Sequence, residues 1–96
     1  FDCSGLTQWT YGKAGINLPR TAQQQYDVTR HIPLLEAKAG DLVFFHSTYN
    51  AGSYITHIGI YLGDNRMFHA GDPIGYADLT SSYWQQHLVG AGRIKQ

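Results

Sequence analysis

The stretch that decides the fold is Thr56–Ala70, which reads THIGIYLGDNRMFHA. Its first half, Thr56–Leu62, is rich in β-branched and aromatic residues, and the same character returns over Arg66–Ala70. Gly63–Asn65 between them has the composition of a tight turn. Two such runs joined by a short turn predict a β-hairpin, and therefore an antiparallel sheet.

The length of this turn decides which side chains share a face of the hairpin. A three-residue loop over Gly63–Asn65 makes Leu62 oppose Arg66, and it places His57 and His69 on one face as diagonal neighbours. Their Cα atoms are then expected roughly 7–8 Å apart, within reach for two imidazole rings. A two-residue loop would turn the two rings to opposite faces.

The rest of the chain divides into helices before this hairpin and mainly strands around it. The segments 29–38 and 71–75 have no regular pattern, and we expect them to be irregular. Helices followed by an antiparallel sheet predict an α+β fold. The remaining predicted elements are helices over Cys3–Lys13, 22–26 and Ser81–His87 and strands over Asp41–His46 and Leu88–Ile94.

Cys3 is the only cysteine, and it stands at the start of the first predicted helix. The positive end of a helix dipole favours a thiolate, which is the nucleophilic form of cysteine. We expect this helix to pack over Gly59, on the face that carries His57. His57 would then act as the base, His69 would orient it, and the Cys3 N–H would bind the oxyanion. The pattern predicts amide hydrolysis through a thioester.

Each of these residues also has a simpler interpretation. A lone cysteine is often a packed core residue, and a lone histidine in a strand is often structural. Zinc binding by Cys3, His57 and His69 is a competing use, although the chain has no closely spaced ligand pair. His31 and His46, like His87, have no comparable partners in the sequence, and we assign no function to these three.

Composition and charge exclude several functional classes. The chain has 96 residues, of which 43% are hydrophobic and 15% charged, and this predicts one folded domain. Seven basic and seven acidic side chains cancel, so nucleic acid is not an expected partner. Apolar runs such as Leu42–Phe45 are too short to span a bilayer, so membrane insertion is not expected. A single cysteine forms no internal disulfide.

Five motifs in order along the chain resemble those of NlpC/P60 cysteine peptidases. Any one of them alone would be weak, but their succession over roughly the first 70 residues is specific. They are FDCSGL at 1–6, LPRTAQQQ at 18–25, GDLVFF at 40–45, HIGIY at 57–61 and FHA at 68–70.

The resemblance implies a compact papain-like fold with N-terminal helices packed on an antiparallel sheet. It implies a bacterial, secreted or wall-associated hydrolase that needs no cofactor. Such enzymes typically cut the γ-D-glutamyl–diamino acid bond of peptidoglycan stem peptides. By their places in the motifs, Cys3 resembles the nucleophile, His57 the base and His69 the third polar residue. Asp2 and Ser4 match positions expected to hold the free amino end of the stem peptide.

The chain also departs from the family pattern. A tyrosine-containing segment and a helix usually precede the cysteine motif, whereas this chain begins at Phe1. We therefore expect 1–96 to be a catalytic domain without its usual N-terminal segment, with further domains in the full-length protein. Arg20 also matches a family position, for which we expect a structural role. Two alternatives stay open, a CHAP-type amidase or endopeptidase and a non-catalytic wall-binding module of the same fold.

Overall fold

The computed structural model describes residues 1–71 and 73–95. Asp72, which belongs to the predicted loop 71–75, and Gln96, the last residue of the predicted domain, lie outside the described residues. The elements in chain order are α1 (Cys3–Lys13), α2 (Ala22–Asp27), β1 (Thr29–Ile32), a 3₁₀ turn (Leu34–Glu36), β2 (Leu42–His46), β3 (Ile55–Gly63), β4 (Arg66–His69), β5 (Gly75–Asp78), α3 (Ser82–His87) and β6 (Leu88–Ile94).

The strands form one antiparallel sheet in the order β1-β6-β2-β3-β4-β5. This confirms the predicted α+β fold. The edge strand β1 lies in the segment 29–38, where we expected irregular chain, and that prediction was wrong. The other edge strand, β5, begins at Gly75, the last residue of the predicted loop 71–75, and continues over residues for which we predicted no element. Each is four residues long, and its register comes from a neighbour, with Thr29 opposite Ile94 and Phe68 opposite Tyr76.

Local sequence explains where the two N-terminal helices begin. The Asp2 carboxylate accepts a hydrogen bond from the Gly5 N–H and caps α1. Thr21 and Gln24 exchange side-chain and backbone hydrogen bonds at the start of α2, which is a complete capping box. These caps satisfy N–H groups that have no partner within the helix.

Hydrophobic side chains cover both faces of the sheet. α1 and α2 pack against the first core, which includes the fully buried Phe44 and Ile58. α3 lies on the opposite face, where Trp84 packs against a second core around Phe45 and Met67. We expected the face that carries His57 to point away from the main core. It does, but this second cluster covers it.

The β3–β4 hairpin has a different turn from the predicted one. Arg66 pairs with Gly63, so the connection is the two-residue turn Asp64-Asn65, and both turn residues have positive φ. A register shift between Tyr61 and Gly63 adds back one residue. His57 and His69 therefore still share a face, although by a two-residue turn and a bulge instead of a three-residue loop.

The position of α1 corrects a second expectation. The helix packs on the Ile58 face of β3 and not over Gly59. Gly59 instead leaves space for β4, because a Cβ at this position would overlap the Met67 sulfur and lie 3.4 Å from Cβ of His69. Its missing side chain admits these two residues from β4.

Candidate active site

A cleft of about 830 Å³ runs between the helix starts and the end of the sheet that carries His57. Cys3 enters it from the first residue of α1, and His57 enters it from β3. The structure thus brings the predicted nucleophile and base to one cleft across the end of the sheet. The lining residues are Asp2, Cys3, Ser4, Arg20, Thr21, Ala22, Gln23, Tyr49, Ser53, Ile55, Thr56, His57 and Ala70.

The thiol of Cys3 is half-buried against the first core. Burial raises its pKa, while the backbone N–H groups of Ile58, Ser4 and Cys3 itself act in the opposite direction. We expected the helix terminus to favour the thiolate, and burial outweighs that effect. The raised pKa favours the protonated thiol over the thiolate.

His57 and His69 form a directly hydrogen-bonded pair. The Nε2 atom of His57 lies 2.9 Å from Nδ1 of His69, and the two rings meet edge to face. Burial, followed by repulsion from His69, lowers the pKa of His57 to about 4. Burial also lowers the pKa of His69. Both imidazoles are therefore neutral at pH 7, as a proton acceptor must be.

The opposite end of the cleft is polar and charged. Arg20 donates one hydrogen bond to Asp2 Oδ2 at 2.9 Å and another to Ser4 Oγ at 2.8 Å. The hydrogen bond from Arg20 is the largest cause that lowers the pKa of Asp2. Asp2 and Ser4 thus line the cleft with Cys3, and their expected role in holding a free amino end stays a prediction. Arg20, for which we expected only a structural role, lines the cleft with them.

Sequence reasoning missed two further residues near the site. The indole of Trp84 stacks on His57, with ring centroids 5.5 Å apart. Gln25 is completely buried, and its amide donates to the carbonyls of Ser4 and Pro19. Gln25 therefore ties the turn that bears Cys3 to the loop that bears Arg20. A glutamine in an otherwise apolar helical face was the available signal for Gln25, and a tryptophan in α3 was the signal for Trp84.

The other histidines lie away from this cleft. His31 stacks on Tyr26, and His87 donates to the carbonyl of His46. Within residues 1–71 and 73–95, no three His, Cys, Asp or Glu side chains converge as metal ligands. In the same part of the chain, no helix is long and apolar enough to cross a membrane.

Comparison with known proteins identifies a family that covers almost the whole chain. The NlpC/P60 family profile matches residues 1–93. The chain is 60% identical over 96 residues to the bifunctional muramidase/DL-endopeptidase CwlT of Bacillus subtilis, covering 99% of this chain and 29% of that protein. It is 47% identical to the probable endopeptidase p60 of Listeria monocytogenes, covering 98% of this chain and 19% of that protein.

Solved structures give the same result. A lipoprotein-like NLP/P60 protein from Staphylococcus aureus superposes with a TM-score of 0.98 at 68% identity, over 100% of this chain and 32% of that one. RipD of Mycobacterium tuberculosis, described as a non-catalytic NlpC/p60 domain protein adapted to peptidoglycan binding, superposes with a TM-score of 0.81 at 28% identity. The superposition covers 99% of this chain and 67% of the RipD chain.

The thiol of Cys3 at a helix start and the ring of His57, which is hydrogen-bonded to His69, line one cleft, and nucleophilic catalysis by cysteine uses residues of these types. The chain belongs to the NlpC/P60 family. It spans less than a third of the length of the two curated relatives named above.

Proposed function

We propose that this domain is a cysteine endopeptidase of bacterial peptidoglycan that cuts the bond between γ-D-glutamate and the following diamino acid. The observation that carries the proposal is the His57–His69 hydrogen bond at the cleft that also holds the Cys3 thiol. The similarity to CwlT, a bifunctional muramidase/DL-endopeptidase, supports both the cell-wall substrate and the D,L stereochemistry of the bond, and the similarity to the probable endopeptidase p60 supports endopeptidase activity.

The tautomer of His57 follows from its role as a base. Its Nε2–H donates to Nδ1 of His69, which leaves Nδ1 of His57 with a lone pair for the thiol. His57 takes the thiol proton as the sulfur attacks the γ-carbonyl carbon of the D-glutamyl residue. Because burial raises the pKa of the thiol, we assign the removal of its proton to His57.

The carbonyl oxygen becomes an oxyanion in this step. The N–H groups of Cys3 and Ser4 lie in the first turn of α1 and have no intrahelical carbonyl partner, so they are suited to bind it. Collapse of the intermediate breaks the C–N bond, and His57 donates its proton to the departing amine. A thioester on Cys3 remains.

Water completes the cycle. His57 accepts a proton from the water as its oxygen attacks the thioester carbon. The C–S bond then breaks, and the sulfur recovers a proton from His57. The products are a free γ-carboxyl group and the original thiol, so the cycle needs no cofactor.

The charged end of the cleft determines how the stem peptide lies. Asp2 is an exposed carboxylate that Arg20 holds in place, and it can accept hydrogen bonds from a free amino group. Ser4 adds a hydroxyl beside it. A peptide whose amino end is free at this position would be preferred over one that is still attached to the glycan. Since this substrate belongs to the cell wall, the protein would act outside the cytoplasm, within a larger protein that has additional domains.

Mass spectrometry of digested muropeptides tests the proposal. We expect fragments that end in free γ-D-glutamate, with new amino ends on the diamino acid, and none from the matched Cys3→Ala protein. His31→Ala is the control, because His31 stacks on Tyr26 away from the cleft, and this variant should release the same fragments as the unmodified protein. Cleavage between muramic acid and L-alanine would instead support a CHAP-type amidase, and full activity in Cys3→Ala would refute the role of Cys3.

A non-catalytic wall-binding module is the second candidate, because RipD shows that this fold exists in such a form. The presence of Cys3 and His57 in one cleft, with His69 hydrogen-bonded to His57, favours the enzyme. Sedimentation with purified peptidoglycan without release of any fragment would favour the binding module.

A further inference from the structure

Trp84 of α3 covers the hydrogen bond that joins the two histidines. Its indole lies nearly parallel to the ring of His57, at 24° and 5.5 Å between centroids. The same indole meets His69 edge to face, at 85° and 5.2 Å. Phe45 supports the indole from the sheet, with centroids 4.8 Å apart. One half-buried side chain therefore contacts both members of the pair.

The other neighbours of the pair also limit its movement. Phe45 contacts the ring of His57 at 6.0 Å between centroids. Gly71 fits close against His69, since a Cβ there would lie 2.8 Å from Cε1 of the imidazole. His69 thus contacts both Gly71 and the indole, and His57 contacts both Phe45 and the indole.

We propose that Trp84 is a positioning residue for the His57–His69 pair, holding both rings in register and excluding water from their hydrogen bond. This inference rests on the proposed function, in which His57 is the base. A flat aromatic face can hold an imidazole in one orientation while leaving its edge nitrogens free. It also attracts the imidazolium ion that forms when His57 takes a proton.

The electrostatics of the pair agree with this geometry. Burial is the largest cause of the low pKa of His57, ahead of repulsion from His69. The titratable groups that face His57 among the described residues are Cys3 from α1 and His69 from β4, while β2 and α3 present the uncharged Phe45 and Trp84. Removing the indole would admit water and raise the pKa of His57.

The test uses Trp84→Ala, Trp84→Leu and Trp84→Phe, with Trp9→Leu as the matched control. Trp9 is an exposed tryptophan of α1 that contacts Phe1 and Lys13. The first measurement is the titration of His57 by NMR, together with the pH dependence of Cys3 alkylation by iodoacetamide. Neither measurement needs a substrate.

We expect the titration midpoint of His57 to rise by about one pH unit or more in Trp84→Ala, because water reaches the ring. The acid limb of the kcat/KM profile should move by the same amount. Trp84→Phe should retain a midpoint closer to that of the unmodified protein, and Trp9→Leu should leave it unchanged. A folded Trp84→Ala protein with the original midpoint would overturn the proposal, because a merely structural residue would change stability alone.

Two further outcomes are distinguishable. If Trp84→Ala does not fold, the Leu and Phe variants decide the matter: a higher midpoint for Leu than for Phe supports the stacking role, and equal, unshifted midpoints refute it. If the unmodified protein cuts no muropeptide, the proposed function fails, while the NMR and alkylation measurements still report on Trp84.

Discussion

The two ends of the cleft differ in charge and in exposure to water. At one end Asp2 and Arg20 form an ion pair whose side chains are 60% and 56% exposed. At the other end His57 lines the cleft, and it forms with His69 a pair of imidazoles that are uncharged at neutral pH and contact the indole of Trp84. Water screens the first pair and is largely excluded from the second.

This difference separates recognition from chemistry. An exposed ion pair contributes little to stability, because solvent competes for both partners. It can still place a carboxylate where a substrate amine will meet it. Protonation of a buried imidazole destabilises the folded protein, and for this reason the imidazole remains neutral and can act as a base. Substitutions at the aromatic end should therefore change the rate and pH dependence, and substitutions at the charged end should change substrate affinity.

The largest expected effect is at the base itself. His57→Gln keeps a polar side chain of similar size but cannot accept and return a proton, so kcat/KM should fall roughly 10³- to 10⁴-fold. Steady-state kinetics on a defined muropeptide measures this, with circular dichroism as the check on folding. A loss smaller than about tenfold would mean that another group acts as the base.

A smaller loss is expected at the orienting histidine. His69→Ala leaves the base in place but frees its ring to rotate, and misplacement of this kind can cost roughly 100-fold. His31→Ala is the matched control, because His31 stacks on Tyr26 away from the cleft. Unchanged kcat/KM in His69→Ala would show that a different residue orients His57.

The aromatic end should also affect stability as the pH falls. The pKa of His57 is about 4 in the folded protein against an ordinary value of 6.5, so the unfolded chain binds more protons between these values. Stability is therefore complete above pH 6.5 and is lost as the pH falls toward 4, by about 2–3 kcal/mol from this residue.

Urea unfolding at several pH values from 4 to 7 measures this loss. The decline should be distinctly flatter in His57→Gln, while the carboxylates contribute equally to both proteins. Parallel curves for the two proteins would contradict the assignment of a depressed pKa to His57.

The smallest effect belongs to the charged end. Arg20→Lys keeps the positive charge but loses the fork that reaches both Asp2 and Ser4, so KM should rise by roughly three- to fivefold with kcat almost unchanged. The urea midpoint should stay the same. Arg93→Lys is the contrasting variant, since Arg93 donates two hydrogen bonds to the largely buried Asp41. It should lower the urea midpoint and leave KM unchanged. A fall in kcat for Arg20→Lys would remove the distinction between the two ends.

Much of this arrangement could be predicted locally. The bounds of α1 agree with the prediction because a cap at Asp2 and an apolar repeat both act within a few residues. Strand parity predicted that His57 and His69 share a face. The prediction holds because the bulge before Gly63 compensates for a turn that is one residue shorter than expected. The edge strands could not be predicted, because four-residue segments gain their structure from pairing with β6 and β4.

The amino-acid sequence by itself determined the helix that bears Cys3, the hairpin that bears the two histidines, and the family to which the chain belongs. Only the tertiary structure decided that α1 packs on the Ile58 face and that α3 brings Trp84 over the imidazoles. The physical reason is the distance along the chain over which each interaction acts. Caps, turns and side-chain periodicity act between neighbours in the chain, whereas burial, and with it the protonation of Cys3 and His57, depends on distant segments that meet only in the folded protein.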